Sequence, residues 1–319
     1  MNAVAVSSLV PVVLLIAIGF IAGYANWVRP AGIKDLSALT FSVFTPALLF
    51  RTMSTVHFER LDFKPVTVYF AAAILMFAAM MLWSGMSRRS AVVALSASYG
   101  NTVAIGIPLI GLAYGEAALV PLFTLISMNA LIMLTLATIA LEFAVAREAN
   151  SVSGLSAGTA PRHPVKIVLI AIRNGIVHPV PLPIILGLLF AQTGWVLPGV
   201  VDRPLQLLAN AMGPLALILV GITLAGSRIG AQLAGASVLT LLKNGVMPAL
   251  VAALGWLMGL TGLPLTVMVV AAAMPIGANV FMFSQRYEVA QELVTASVAV
   301  STVSALLTVS LVMALVTML

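Results

Sequence analysis

What this sequence lacks narrows its class before anything it contains is considered. Charged residues fill 8% of its 319 positions, against about 25% in soluble domains, so a soluble globular fold is excluded. There is no cysteine, which removes disulfides, a thiolate nucleophile and cysteine-ligated metal. Only three histidines occur, none with a partner at metal-ligand spacing, and no phosphate loop or dinucleotide fingerprint is present. No cofactor, no metal and no catalytic constellation is therefore expected, and the chain alone does not read as an enzyme or an ATP-driven pump. No Lys or Arg precedes the first apolar stretch, Met1 to Val10, so it does not read as a cleaved signal peptide.

What is present is apolar. Hydrophobic residues make up 62% of the chain. Runs bounded by charges or by Gly and Pro give spans near 8–27, 36–52, 65–86, 91–112 and 118–144, then near 178–194, 204–225, 235–260, 264–286 and 289–318. Each suits the roughly 20 residues a spanning helix needs. Membrane barrels instead show alternating segments of about ten residues. The expected fold is an all-α polytopic membrane protein with ten transmembrane helices.

Between the two sets of five lies Ser151 to Pro164, rich in Ser, Gly, Ala and Pro and read as a flexible linker. Lys166 to Arg173 reads as a short interfacial helix or as an extended start of span six. A 168-residue shift aligns Pro11 with Pro179, Gly19 with Gly187, Trp27 with Trp195, Pro30 with Pro198 and Pro46 with Pro214. A duplicated unit of five spans enters the membrane from opposite sides, so the repeat is inverted, as in many transporters. The expected division is 1–145 for the first repeat, 146–173 for the cytoplasmic linker and 174–319 for the second repeat.

The net charge of +6 is read as marking cytoplasmic loops rather than a nucleic-acid partner. Eleven of the fifteen Lys and Arg fall in the connections after odd-numbered spans or at the start of span eight, so those connections face inward and both termini face outward. All nine acidic residues lie in connections or near span ends, which disfavours cation exchange through a buried carboxylate. Lys243 is expected a turn or two inside span eight, snorkelling to the interface.

Spans four and nine are interrupted, at Tyr99 to Pro108 and at Met274 to Val280. Pro removes a backbone donor and clashes with the preceding turn, so each span should break and free backbone groups at mid-membrane. A half-helix starting after each break aims the positive end of its dipole at a place where an anion can sit. Asn101 and Asn279 add neutral donors. Asn129, in mid-span five, reads equally as a ligand or as an interhelical glue residue. The GxxxG spacings Gly19/Gly23, Gly111/Gly115 and Gly255/Gly259 permit close helix packing. His178, beside Pro179, reads as a loop or capping residue, and the sixteen Met as gap fillers.

These residues resemble the auxin efflux carrier family, which includes the plant PIN-FORMED carriers and bacterial permeases described as malonate transporters. The matching stretches are Asn101 and Thr102 with Gly106 to Leu109, Tyr114 to Glu116, Asn129 where plant members have Gln, Leu141 to Phe143, Lys243 to Pro248, and Met274 to Gly277 with Phe281, Phe283 and Tyr287. The resemblance implies ten helices in two inverted repeats, with helices four and nine broken and crossing near Pro108 and Pro275. Helices one, two, six and seven form a scaffold that holds still or makes a homodimer, and helices three, four, five, eight, nine and ten move as an elevator-like transport bundle. It implies a carboxylate at the crossing, with Asn101 as its main side-chain contact, Asn129 nearby, and Thr102, Gly106, Pro108, Pro275, Gly277 and Asn279 around it. The chain departs from the plant pattern at Gly100 (Pro there) and Ile276 (Gln there), in the uncharged stretch Thr67 to Gly85, and in its short central loop.

The expected function is secondary transport of a small organic anion, a malonate-like dicarboxylate or an auxin-like monocarboxylate, across a bacterial inner membrane. The partners expected are that anion and the lipid bilayer, with no nucleic acid. The alternative is a symporter or exchanger coupled to sodium or protons, of the bile-acid-symporter or sodium/proton-antiporter type.

Overall fold

Backbone N–H and C=O groups left unpaired in an apolar medium cost several kcal/mol each, roughly, and a helix pairs them within one segment. The computed structural model describes residues 3–56, 62–152, 181–226 and 232–316, and among these every regular element is a helix. Six helices are long and apolar enough to cross a membrane: Asp35–Met53, Lys64–Ser84, Glu116–Val145, Gly199–Ala225, Leu233–Leu257 and Gln291–Val316. Four shorter apolar helices accompany them, Val13–Tyr24, Thr102–Tyr114, Leu182–Gln192 and Gly262–Ala272. The helix Thr135–Val152 continues past the repeat boundary expected at 145. The remainder of the linker, the segment Lys166 to Arg173 and His178 lie outside the described residues.

Three prolines are accommodated by the same local device. π-helical turns at Thr40–Phe44, Thr102–Gly106 and Leu242–Val246 each precede a Pro by two residues, at Pro46, Pro108 and Pro248. In each, the amide after the turn donates five residues back, Thr45 to Thr40, Ile107 to Thr102 and Met247 to Leu242. The widened turn relieves the clash between a proline ring and the preceding carbonyls without ending the helix. A fourth π turn, Ala130–Leu134, follows Asn129.

Helices meet most closely at glycines. A Cβ on Gly19 would collide with the Ile218 carbonyl, and one on Gly221 with the Ile16 carbonyl. A Cβ on Gly187 would stand 2.7 Å from the Phe50 oxygen and 2.9 Å from the Met53 Cβ. The 168-residue offset that carries Gly19 to Gly187 also carries Phe50 to Ile218, so these two contacts are equivalent in the two halves. The other glycine pairs differ from expectation. Gly115 and Gly259 have φ of +77° and +66° and end their helices, as glycine commonly does, so they are stops rather than packing surfaces.

The deepest core lies around the segments Ser90–Ser98 and Val267–Ile276, where nearly every side chain is buried, with Tyr69, Leu122 and Phe123 packed beside them. The periphery is the reverse of a soluble protein's. Trp27, Trp83, Trp195 and Trp256 stand at or just beyond helix ends and are between 72% and 83% exposed, the arrangement of an interfacial aromatic belt.

Candidate functional site

The two interruptions meet. The helix Arg88–Ser98 stops, Tyr99 is extended, and the next turn begins at Thr102. On the other side Gly262–Ala272 stops and the chain resumes as helix at Ala278. The Asn101 amide donates to the Pro275 carbonyl at 2.7 Å and the Gly277 amide to the Tyr99 carbonyl at 3.0 Å, an antiparallel bridge centred on Gly100 and Ile276. Gly277 has no alternative here, because a Cβ would press on the Tyr99 ring at 2.7 Å. The break in the first half is thus at Gly100, eight residues before Pro108. Pro108 continues a helix whose strain the π turn has already absorbed, and its ring would lie 3.3 Å from a Cβ on Gly213. What starts the new helix is Asn101, whose Oδ1 accepts from the Ala104 amide at 3.2 Å, the usual asparagine N-cap.

A break buried this deeply leaves backbone groups that need partners. Lys243 supplies two of them: its Nζ donates to the carbonyls of Ala272 and Met274, at 2.5 and 2.8 Å, at the C-terminal end of the helix Gly262–Ala272. Its side chain is fully buried, and a Cβ on Gly100 would lie 3.1 Å from the ammonium. The expectation that Lys243 snorkels to an interface is corrected. It sits ten residues into a 25-residue helix, about 15 Å from its start and beyond the reach of a side chain seeking water. The ammonium instead meets the negative end of a helix dipole. The Ile276 amide donates to the Ser301 Oγ at 3.1 Å. Asn244, next to Lys243, donates from Nδ2 to the Ser301 carbonyl at 3.0 Å and to the Thr308 Oγ1 at 3.3 Å. Ser301 was not singled out by the sequence, because serines in apolar helices usually bond their own helix and leave no pattern.

Asn101 borders a cavity of about 180 Å³. Ser37 and Thr40 line it from the helix containing the first π turn, Ala104 from the turn after Asn101, Thr223 from Gly199–Ala225 and Thr302 from Gln291–Val316. The rest of its wall is apolar, including Met212, Ala216, Leu219 and Val220. With Oδ1 engaged by Ala104, the Asn101 Nδ2 makes no hydrogen bond among the described residues and is the amide donor available at this cavity. The turn Thr102–Gly106 starts directly after Asn101, and its Ala104 also lines the cavity, so the positive end of that helix is on this side.

The other residues expected at the site divide into two groups. Thr102 and Gly106 pack on one another and on Met274, within the broken region. Pro275 and Gly277 form the bridge, and Asn279 donates to the Tyr99 hydroxyl at 3.0 Å, which commits its amide to the protein. Asn129 is buried, and neither its oxygen nor its nitrogen has a partner among the described residues. No hydrogen bond joins it to the bridge.

A family model described as a membrane transport protein matches residues 4–313. The chain belongs to this family. It is 26% identical over 236 residues to Auxin efflux carrier component 8 of Arabidopsis thaliana, an alignment covering 62% of this chain and 63% of that carrier. It is 28% identical over 276 residues to a Rhizobium meliloti (strain 1021) protein named "Putative malonate transporter", covering 82% of this chain and 81% of that protein. The molecule is an integral membrane transporter of the auxin efflux carrier family.

This transporter has a second, larger cavity of about 690 Å³, bordered by Arg51, Glu116, Trp195 and Asp202. The Arg51 guanidinium grips the Asp202 carboxylate through Nε at 2.7 Å and Nη2 at 3.3 Å. With Arg51 paired to Asp202 and Glu116 also present, the described lining of this cavity carries one net negative charge.

Proposed function

We propose that this protein is a secondary transporter of a small organic anion, bound as a carboxylate at the paired breaks with Asn101 Nδ2 and the first amides of the turn at Thr102 as its donors. The observation that carries the reading is the position of the cavity. One wall belongs to helices 30–53 and Gly199–Ala225, the other to the broken helix at Asn101 and to Gln291–Val316. In this reading the chain has ten transmembrane helices in two inverted repeats. Helices one, two, six and seven form a scaffold that can pair with a second copy, the remaining six form a transport bundle, and the cavity lies on the sliding surface between the two. The equivalent glycine contacts at Gly19 and Gly187 support the repeat. Both termini lie outside a bacterial inner membrane.

The reading extends to coupling. A coupling cation needs carbonyl or carboxylate ligands near the crossing. The freed carbonyls of Ala272 and Met274 are occupied by the Lys243 ammonium. Transport is then uniport driven by the membrane potential. A negative interior pushes an anion outward with about 2.3 kcal/mol per charge per 100 mV, which makes the carrier an exporter. Flux in proteoliposomes under separately imposed potential, sodium and pH gradients tests this. A response to potential alone is expected, and an absolute requirement for sodium or a proton gradient would overturn it.

A further inference from the structure

We infer that the Asn101 cavity selects a monocarboxylate with a short apolar tail and rejects dicarboxylates. The inference rests on the reading of this cavity as the substrate site and narrows its substrate class.

The cavity offers a negative charge few partners. None of its lining residues among those described is charged. Donors are concentrated at one end, where the Asn101 Nδ2 and the start of the turn at Thr102 lie together. The hydroxyls elsewhere are turned away from the task. Thr40 donates to the Leu36 carbonyl at 2.7 Å, Thr223 to Leu219 at 2.8 Å and Thr302 to Val298 at 2.7 Å. A hydroxyl has one proton, so none of these three has a proton left to donate to a carboxylate. Among the described residues, Ser37 is the lining hydroxyl that makes no such bond. The rest of the lining includes Met212, Ala216, Leu219 and Val220, side chains suited to methylene or aryl carbon.

The nearest cation gives no help to a second carboxylate. The Lys243 ammonium lies behind Gly100, and two of its protons are held by the carbonyls of Ala272 and Met274. It adds positive potential to the donor end, where the first carboxylate already sits. A second ionised group would meet a mostly apolar lining with the neutral Ser37 hydroxyl as its one side-chain donor among the described residues, and such a burial is strongly unfavourable. The size agrees, since about 180 Å³ falls below the range of about 300–1,000 Å³ for drug-sized ligands.

The test is calorimetric titration of the purified full-length protein at pH 7.5 with malonate, its monoethyl ester and butyrate. The ester keeps the malonate backbone, replaces one carboxylate by an uncharged ethyl ester and so removes one charge. Monoethyl malonate and butyrate are expected to bind at least about tenfold more tightly than malonate, and Asn101→Ala to weaken both. Val220→Arg, which puts a cation on the apolar wall, is expected to move the preference toward malonate by about tenfold. Malonate binding as tightly as its monoester, with both still weakened by Asn101→Ala, would overturn the substrate class and leave the site in place. Binding that Asn101→Ala leaves unchanged for all three acids would overturn the site itself. If Val220→Arg fails to fold, the malonate and ester pair in the unmodified protein still decides the question.

Discussion

Where the helices Ala3–Tyr24 and Gly199–Ala225 meet, close approach comes from missing atoms: Gly19 and Gly221 let backbone lie against backbone with no side chain or polar bond between them. Where the helices broken at Gly100 and Ile276 meet, it comes from added polar groups: two bridge hydrogen bonds, a lysine on two carbonyls and a serine on an amide. Both are ways of packing helices where water is scarce, and their consequences differ. Glycine contacts make a rigid, apolar seam that asks nothing of a ligand. The break leaves one asparagine donor and one helix start facing a cavity, and these are groups a ligand can complete. The contrast matches the division of labour proposed between a stationary scaffold and a substrate-holding bundle.

Altering Lys243 should have the largest effect. Lys243→Met keeps the bulk of the side chain and removes its donors, leaving the carbonyls of Ala272 and Met274 buried without partners. A buried unsatisfied polar group costs about 1–3 kcal/mol, so a combined loss of about 2–6 kcal/mol is expected. It should be read out as a lowered thermal midpoint and loss of flux in proteoliposomes. Retention of both would mean that the break does not depend on the lysine.

The glycine seam gives a smaller but sharper comparison. Gly221→Val forces a branched side chain onto the Ile16 carbonyl and should destabilise by about 1–3 kcal/mol, seen as a lower midpoint for thermal aggregation. Gly111→Ala should be close to neutral, because its Cβ would meet the Leu119 side chain at an ordinary 3.5 Å. Equal tolerance of both substitutions would erase the distinction between a packing glycine and an incidental one.

Much of the helical outline was readable from the chain, since roughly twenty apolar residues in succession leave a helix as the economical structure in lipid. Gly19 was readable as a contact because its spacing fits one helix face. The interruption in the first half was readable as Tyr99 to Pro108, and within that stretch the helix stops before Gly100 rather than at Pro108. Proline is a conspicuous signal, but a π turn can absorb it, whereas the Asn101 cap three residues after Ser98 is the group that restarts the helix. Lys243 was misplaced because snorkelling is the common fate of a lysine near a span end, and only the three-dimensional break reveals two carbonyls waiting at mid-helix. Thr223 and Thr302 were not readable at all. A threonine bonded to the carbonyl four residues back looks the same in sequence whether it faces lipid, protein or a cavity.

The central claim is that the paired breaks form the anion site through Asn101. Equilibrium binding of butyrate to the purified protein and to Asn101→Ala, with folding checked by thermal unfolding, tests it most directly. The account predicts an unfolding midpoint lowered only by the lost helix cap, about 0.5–2 kcal/mol, and an affinity reduced about tenfold or more, the cost of removing a donor from a buried ligand. An affinity equal to that of the unmodified protein would contradict it.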